Sequence, residues 1–269
     1  METLADVVAR GRTRDGAALD APDRAAPYSY REFCTNAWKA GNLLRHYGVR
    51  RDGTLALVVG PKSPAPDDEP GVLGSAAAPL LALFGGATVG AAVDVTPASP
   101  VDARALVAPD AWLDRYEAEP GCSRLAYGGP PEAADVAHLE RELWSENPIE
   151  PPDEVSPGAV LRIEGERYTH RALLDAASAV VDDHSLAAGD SVGLDAPLTH
   201  PGPIAAGVLA PLMVGATIRP GVTGHADADE SPTYFVSSGG TSESGRDGDT
   251  VAPASVPLEP APKSNSDSQ

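Results

Sequence analysis

One loose internal repeat, offset by ~140 residues, constrains the fold of this 269-residue chain more than any other feature. From Tyr30 the sequence reads YREFCTNAWKAGNLLRHYGVRRDGTLAL and later APLLALFGGATV. From Tyr168 it reads YTHRALLDAASAVVDDHSLAAGDSVGL and later APLMVGATI. Each copy predicts an aromatic-led helix, a Gly-containing turn, a short strand, a second helix opening near Ala-Pro-Leu and a Gly-Ala-Thr strand. Two copies are too few for a solenoid, which needs three or more stacked units to bury its faces. The expected fold class is therefore α/β: two Rossmann-like parallel-sheet subdomains related by the repeat and packed into one body.

Punctuation along the chain supports that division. Ser29 and Glu32 form a capping-box pattern, Phe33, Ala37, Ala40, Leu44 and Tyr47 then share a helical face, and Gly48 is placed to close the helix in a left-handed turn. Strands are expected at 54–59, 88–93 and 105–107, helices at 75–84 and 134–144, and a further short helix around Trp112. PKSPAPDDEPG, residues 61–71, reads as surface loop. The Pro-rich NPIEPPDEVSPG, residues 147–158, reads as a linker between a first subdomain over 1–146 and a second over 159–241. In the second, strands are expected at 159–163, 192–194, 216–218 and 233–236, with a helix at 205–214. From Ser242 the sequence is Ser, Asp, Pro and Gly with little apolar content, so residues 242–269 are expected to form a disordered acidic tail.

Charge bounds the partners. The formal net charge is −19, and Lys39, Lys62 and Lys263 are the only lysines. An acidic, lysine-poor, Ala/Gly/Val-rich sequence is what folding in concentrated salt favours, since salt screens carboxylate repulsion within a few Å. The alternative is an acidic binding surface, against which the acidic residues are spread rather than blocked. Nucleic acid is excluded as a partner because phosphate binding needs a basic stripe. Cys34 and Cys122 lack metal spacing and read as reduced thiols. With no signal core and no run near the ~20 apolar residues of a membrane span, the chain is expected in the cytoplasm, off the membrane.

Several segments, taken in order, resemble the N-terminal part of the AMP-forming acyl-CoA synthetases and other adenylate-forming (AMP-binding) ligases. Tyr28-Ser29-Tyr30, Tyr47-Gly48-Val49 to Gly53, and Phe84-Gly85-Gly86-Ala87 resemble that family's helix start, turn into a strand, and helix end. Tyr168-Thr169-His170-Arg171-Ala172-Leu173 resembles its Leu-Thr-His-Arg-Asn-Leu helix start. Pro197-Leu198-Thr199-His200, then Leu209 to Leu212 and Gly215-Ala216-Thr217, resemble its Pro-Leu-Phe-His segment and the helix and strand beyond it. The resemblance implies an acyl-adenylate pocket in which Thr199 and His200 line a wall, with AMP, ATP or an acyl-adenylate as the ligand. An ordinary loop hydrogen-bonding role for His200 is the other reading.

The departures from the family bear on catalysis. Its Ser/Thr/Gly-rich phosphate loop should lie just before Thr169, where this chain has AVLRIEGERY, residues 159–168, with one Gly and no Ser, Thr or Lys. Such a loop works by offering backbone N–H groups and small hydroxyls to a triphosphate whose charge Mg²⁺ and a Lys offset. Glu164 and Glu166 would repel that anion. The family's Mg²⁺-holding Tyr-x-x-Thr-Glu segment, ribose-binding Asp region and lid lysine have no counterpart in this sequence. The expectation is a truncated, catalytically degenerate, ligase-like protein acting as a small-molecule-binding or accessory protein. The alternatives are a working ligase fragment completed by a second chain and a structural partner of a full-length synthetase.

Ser238-Gly239-Gly240-Thr241 leaves three readings open: an adenine-side strand end by family order, a displaced phosphate loop by composition, or a flexible exit into the tail. Asp182-Asp183-His184 reads as helix-end capping before a metal corner. His170 is expected at the surface, and Trp112 and Trp144 as core or rim packing. Asp195 and His200 can be drawn into a triad with a serine, but there is no nucleophile elbow to support a hydrolase.

Overall fold

The computed structural model describes residues 1–22, 24–221, 232–237, 249–252 and 255–262. Its strands are β1 (Ala17–Leu19), β2 (Tyr28–Ser29), β3 (Thr54–Leu57), β4 (Ala92–Asp94), β5 (Ala105–Pro109), β6 (Ser123–Tyr127), β7 (Val136–His138), β8 (Ala159–Ile163), β9 (Glu166–Thr169), β10 (Ser191–Leu194), β11 (Thr217–Pro220), β12 (Tyr234–Val236) and β13 (Asp249–Val251). The helices are α1 (Leu4–Gly11), α2 (Tyr30–His46), α3 (Ala78–Thr88), α4 (Leu139–Ser145), α5 (His170–Asp183), α6 (Pro201–Pro203) and α7 (Ala210–Val214), with a π-helical stretch, Ile204–Leu209, joining the last two. One sheet runs β7-β6-β5-β3-β4-β8-β9 and the other β13-β12-β10-β11-β1-β2. Apart from the hairpins β1–β2 and β8–β9, the paired strands run parallel. This is the expected α/β architecture of two mostly parallel sheets.

The sheets exchange strands across the Pro-rich segment. β8, expected to open the second half, pairs with β4 of the first (Val93↔Leu161). In return β1 leaves the first half to pair with β11 (Leu19↔Ile218). Residues 147–158 therefore separate the repeats without separating the sheets. They lie along α2, where Asn42 Nδ2 donates to the Asn147 and Ile149 carbonyls at 3.2 and 2.8 Å and Arg45 meets Asp153 at 2.7 Å.

Local rules account for most helix ends. Ser29 Oγ accepts from the Glu32 N–H at 3.2 Å, but the Glu32 carboxylate turns to Arg24 at 3.1 Å, so the expected box is only half made. The complete box sits at α1, between Thr3 and Asp6. Thr169 caps α5 in the same manner as Ser29. Gly48 closes α2 at φ +81°, as expected. α2 and α3 cross at glycines, where backbone must meet backbone: a Cβ on Gly85 would lie 2.7 Å from Ala40 Cβ and 2.9 Å from Gly41 N.

The second helices of the two repeats differ. α3 opens at Ala78-Pro79, as expected, but in the second copy the helical run begins at Pro201, well before Ala210-Pro211. Pro211 has no N–H for the Gly207 carbonyl, and the chain absorbs the defect by widening into a π turn, with Ala210 N–H reaching back five residues to Ala205. Tyr30 then ties the repeats together, its buried hydroxyl lying 2.7 Å from the Ala216 carbonyl and 3.0 Å from that of Pro211.

Other expectations are corrected. The helix placed over 134–144 is shortened by β7, whose residues pair with β6 before α4 begins. In the segment expected to be a disordered tail, the described residues depart from that expectation: β13 pairs with β12, and Val251 and Val256 are buried in the core. Two isolated valines in a polar stretch are too weak a periodic signal to announce a strand. Buried apolar residues of both sheets, among them Leu55, Val93, Val192 and Ile218, belong to one core cluster.

Candidate functional site

In an open parallel sheet, ligands bind at the carboxyl ends of strands where the strand order reverses. The second sheet reverses at β10, which continues to β11 on one side and has β12 on the other. Thr199 and His200 follow β10. Ser238, Gly239, Gly240 and Thr241 follow β12 in sequence but lie outside the described residues. The structure thus sets the two strands that lead into all six candidates side by side, with Leu194 opposite Val236.

The β10 loop is anchored to the first sheet through Gly71. Its carbonyl accepts from Leu198 N–H at 2.9 Å and its N–H donates to the Val59 carbonyl at 2.8 Å, so one residue bridges the exits of β3 and β10. Gly71 sits at φ +126°, and a Cβ there would lie 2.8 Å from Pro197 and 3.2 Å from Thr199 Cγ2. Thr199 is consequently held against this loop, half-buried. His200 is exposed, precedes α6 in extended conformation and makes no side-chain cap bond. Asp195, half-buried at the strand end, has its carboxyl pKa raised by burial, while its N–H donates to the Val236 carbonyl at 2.9 Å. Among the described residues no hydrogen bond joins Asp195 to His200, so the triad drawn from sequence has no geometry here. Gly71 and Asp195 are the two site residues that sequence reasoning undervalued. Gly71 ends the acidic loop at a Pro-Gly pair, a turn signal that announced its backbone but not its neighbours.

The equivalent reversal in the first sheet, at β3 between β4 and β5, is filled. Trp112, in a 3₁₀ turn directly after β5, is buried against Gly60, where a Cβ would lie 2.4 Å from its ring. Tyr127 places its hydroxyl 3.0 Å from the Val58 and Gly60 carbonyls.

The place of the expected phosphate loop is a tight hairpin. β8 and β9 pair antiparallel from Ala159↔Thr169 to Ile163↔Glu166, and Glu164 and Gly165 alone make the turn, both with positive φ (+50° and +81°). The Glu164 N–H is already taken by Thr96 Oγ1 at 2.5 Å. Burial first, and then the neighbouring Glu166 and Glu164 carboxylates, raise the Tyr168 pKa.

Two further expectations fail. His170 is not at the surface: it is 2% exposed, and its Nδ1 accepts the Leu4 N–H at 3.0 Å, supplying the first turn of α1 with an acceptor. Burial pushes its pKa down to about 4, against a smaller opposing pull from Asp6. Trp144 does not pack; it is 86% exposed on α4. His184 lies at the end of α5 and packs its ring against Tyr234, with centroids 4.7 Å apart. Among the described residues no cluster of His, Cys, Asp and Glu could hold a metal ion, and no helix is long and apolar enough to cross a membrane. Both thiols are free, and burial pushes that of Cys34 up to about 12.

The fold is that of the adenylate-forming ligases, matched at the level of structure alone. No family model matches the sequence, and no curated protein does. Among solved structures, the chain is similar to a benzoate CoA ligase from Burkholderia xenovorans LB400 (TM-score 0.67, 20% identity, covering 88% of this chain and 50% of that one). It is similar to the anthranilate CoA ligase AuaEII in complex with anthranoyl-AMP (0.67, 18%, 87% and 49%). It is also similar to the N-terminal domain of FACL13 from Mycobacterium tuberculosis (0.62, 18%, 81% and 57%). The chain spans about half the length of these proteins.

Proposed function

We propose that this chain is an AMP-binding ligase-like protein that binds a small acyl or acyl-adenylate ligand at the β10–β12 crevice without activating it. The observation that carries the reading is the two-residue Glu164-Gly165 turn at the place where a triphosphate would need a long, donor-rich loop. Attack of a carboxylate on the α-phosphate of ATP requires charge compensation on the phosphates, and here the nearest turn carries glutamates. What supports retention of a ligand is the crevice itself: a reversal of strand order, with Thr199, His200 and the half-buried Asp195 gathered at its rim.

The test is thermal unfolding in concentrated KCl with a non-hydrolysable acyl-adenylate analogue, AMP, and ATP–Mg²⁺. A ligand at 100 times its Kd adds ~2.7 kcal/mol of stability, a readily measured shift. A shift with the analogue that His200→Ala abolishes is expected, together with no ATP–pyrophosphate exchange. Exchange by the purified chain would sink the non-catalytic reading. The alternative reading is completion by another polypeptide. In that case exchange appears only when the second chain is added.

A further inference from the structure

Acidic residues are spread along this sequence, but basic ones are not. Residues 1–51 carry nine Lys and Arg against six Asp and Glu, in a chain that holds 20 against 39 overall. The fold gathers three of these arginines, Arg12, Arg14 and Arg31, around an open cavity of about 720 Å³ between the end of α1, the start of α2 and Glu150. The cavity adjoins the beginning of β1, which runs parallel to β11 and β10. It therefore lies at the amino-terminal end of the second sheet, away from the carboxyl-end crevice that holds His200.

Two of the guanidiniums are fixed in place. Arg12 stacks over the Trp38 ring at 4.3 Å and spends its Nε on Thr35 Oγ1 at 3.2 Å, leaving its terminal nitrogens uncommitted by that bond. Arg14 is anchored by a terminal nitrogen on the Met213 carbonyl at the end of α7. Arg31, on the first turn of α2, is exposed and makes no ion pair among the described residues. Asp15 and Glu150 also line the cavity, so guanidiniums outnumber carboxylates three to two. The Trp38 indole beneath Arg12 forms part of the cavity wall.

We propose that this cavity binds a phosphate group, either free or carried by a small phosphomonoester. Planar guanidiniums held by stacking and backbone anchors recognise a tetrahedral oxyanion with little further loss of side-chain entropy. The donor geometry favours phosphate over a monocarboxylate: three guanidiniums from different parts of the chain surround the cavity, and a tetrahedral oxyanion has an acceptor oxygen for each of them. The site shares no residue with the acyl-adenylate crevice and does not depend on it.

The experiment is isothermal titration of the full chain with inorganic phosphate and, separately, with glycerol 3-phosphate, at constant KCl. Saturable binding of at least one is expected, weakened tenfold or more in both Arg12→Gln and Arg31→Gln and unchanged in His200→Ala. Tighter binding of the ester identifies a phosphorylated metabolite as the ligand, and tighter binding of free phosphate identifies the ion. Arg31 is exposed, so Arg31→Gln should melt with the parent chain and separates lost binding from lost folding. Failure of both compounds to bind, or equal binding by Arg31→Gln, overturns the proposal. Loss of the acyl-adenylate response alone would leave it standing.

Discussion

The two sheets reverse strand order in the same way and treat the resulting crevice in opposite ways. At the end of β3 the crevice is sealed by Trp112 against Gly60 and by Tyr127 on two backbone carbonyls. At the end of β10 the rim carries a half-buried carboxyl, a threonine and an exposed histidine. A repeated topology thus supplies two reversals of strand order, and side chains convert one of them into core. The lesson is that a switch point in the strand order is permission for a site and nothing more.

The largest expected effect comes from unsealing the closed crevice. Trp112→Ala removes a buried indole and should cost ~3–5 kcal/mol in urea or guanidinium unfolding. If the cost is near zero, the two crevices are less different than their burial indicates. Acid sharpens the contrast next, because the groups sealing the first crevice are silent between pH 4 and 7 while His170 under α1 is not. Its folded pKa, about 4, lies below the unfolded value near 6.5, so the unfolded chain binds more protons across that window. Stability should fall as pH drops from about 6.5 to about 4, by up to ~3 kcal/mol, and be unaffected by this group above pH 6.5. His170→Asn, which keeps an acceptor near Nδ1, should flatten that slope in pH-dependent melts.

Gly71→Ala attacks the bridge between the two strand exits. With φ at +126° and Pro197 2.8 Å from the new Cβ, a loss of ~1–3 kcal/mol is expected, together with a weakened acyl-adenylate response. Tyr127→Phe should cost ~1 kcal/mol by leaving the Val58 and Gly60 carbonyls without that donor. The smallest effect is expected at the open rim: His200→Ala should change stability by less than ~0.5 kcal/mol while removing the ligand-induced shift.

Much of this was legible in the sequence where local chemistry acts alone. Gly48, Ser29 and Thr169 announced their helix ends, and the repeat announced two parallel sheets. Strands at and next to the sheet edges were not legible: β2, β7, β9 and β13 end their sheets, β1 and β6 lie beside those ends, and none has a sustained alternation that single-sequence reading can detect. Their strand character comes from the neighbour that each one meets. His170 misled for the same reason, since a histidine opening a helix looks solvated until α1, distant in sequence, is laid over it. At the candidate site, Thr199 and His200 were found through resemblance, whereas Asp195 and Gly71 needed the two loops to be seen touching. The seal of the first crevice was equally hidden, because nothing in Trp112 itself says that Gly60 will lie beneath it.

The strand exchange has a consequence for how the chain is made. Leu19 cannot take its place beside Ile218 until almost the whole described chain has been synthesised, and the long separation makes that pairing slow to find. β8 must likewise emerge before β4 loses its open edge. The first repeat therefore leaves the ribosome with two unpaired strand edges, on β1 and β4, that only the second can cover. A nascent chain of this kind is exposed to wrong partners for most of its synthesis, and a cut within 147–158 would return both products to that condition.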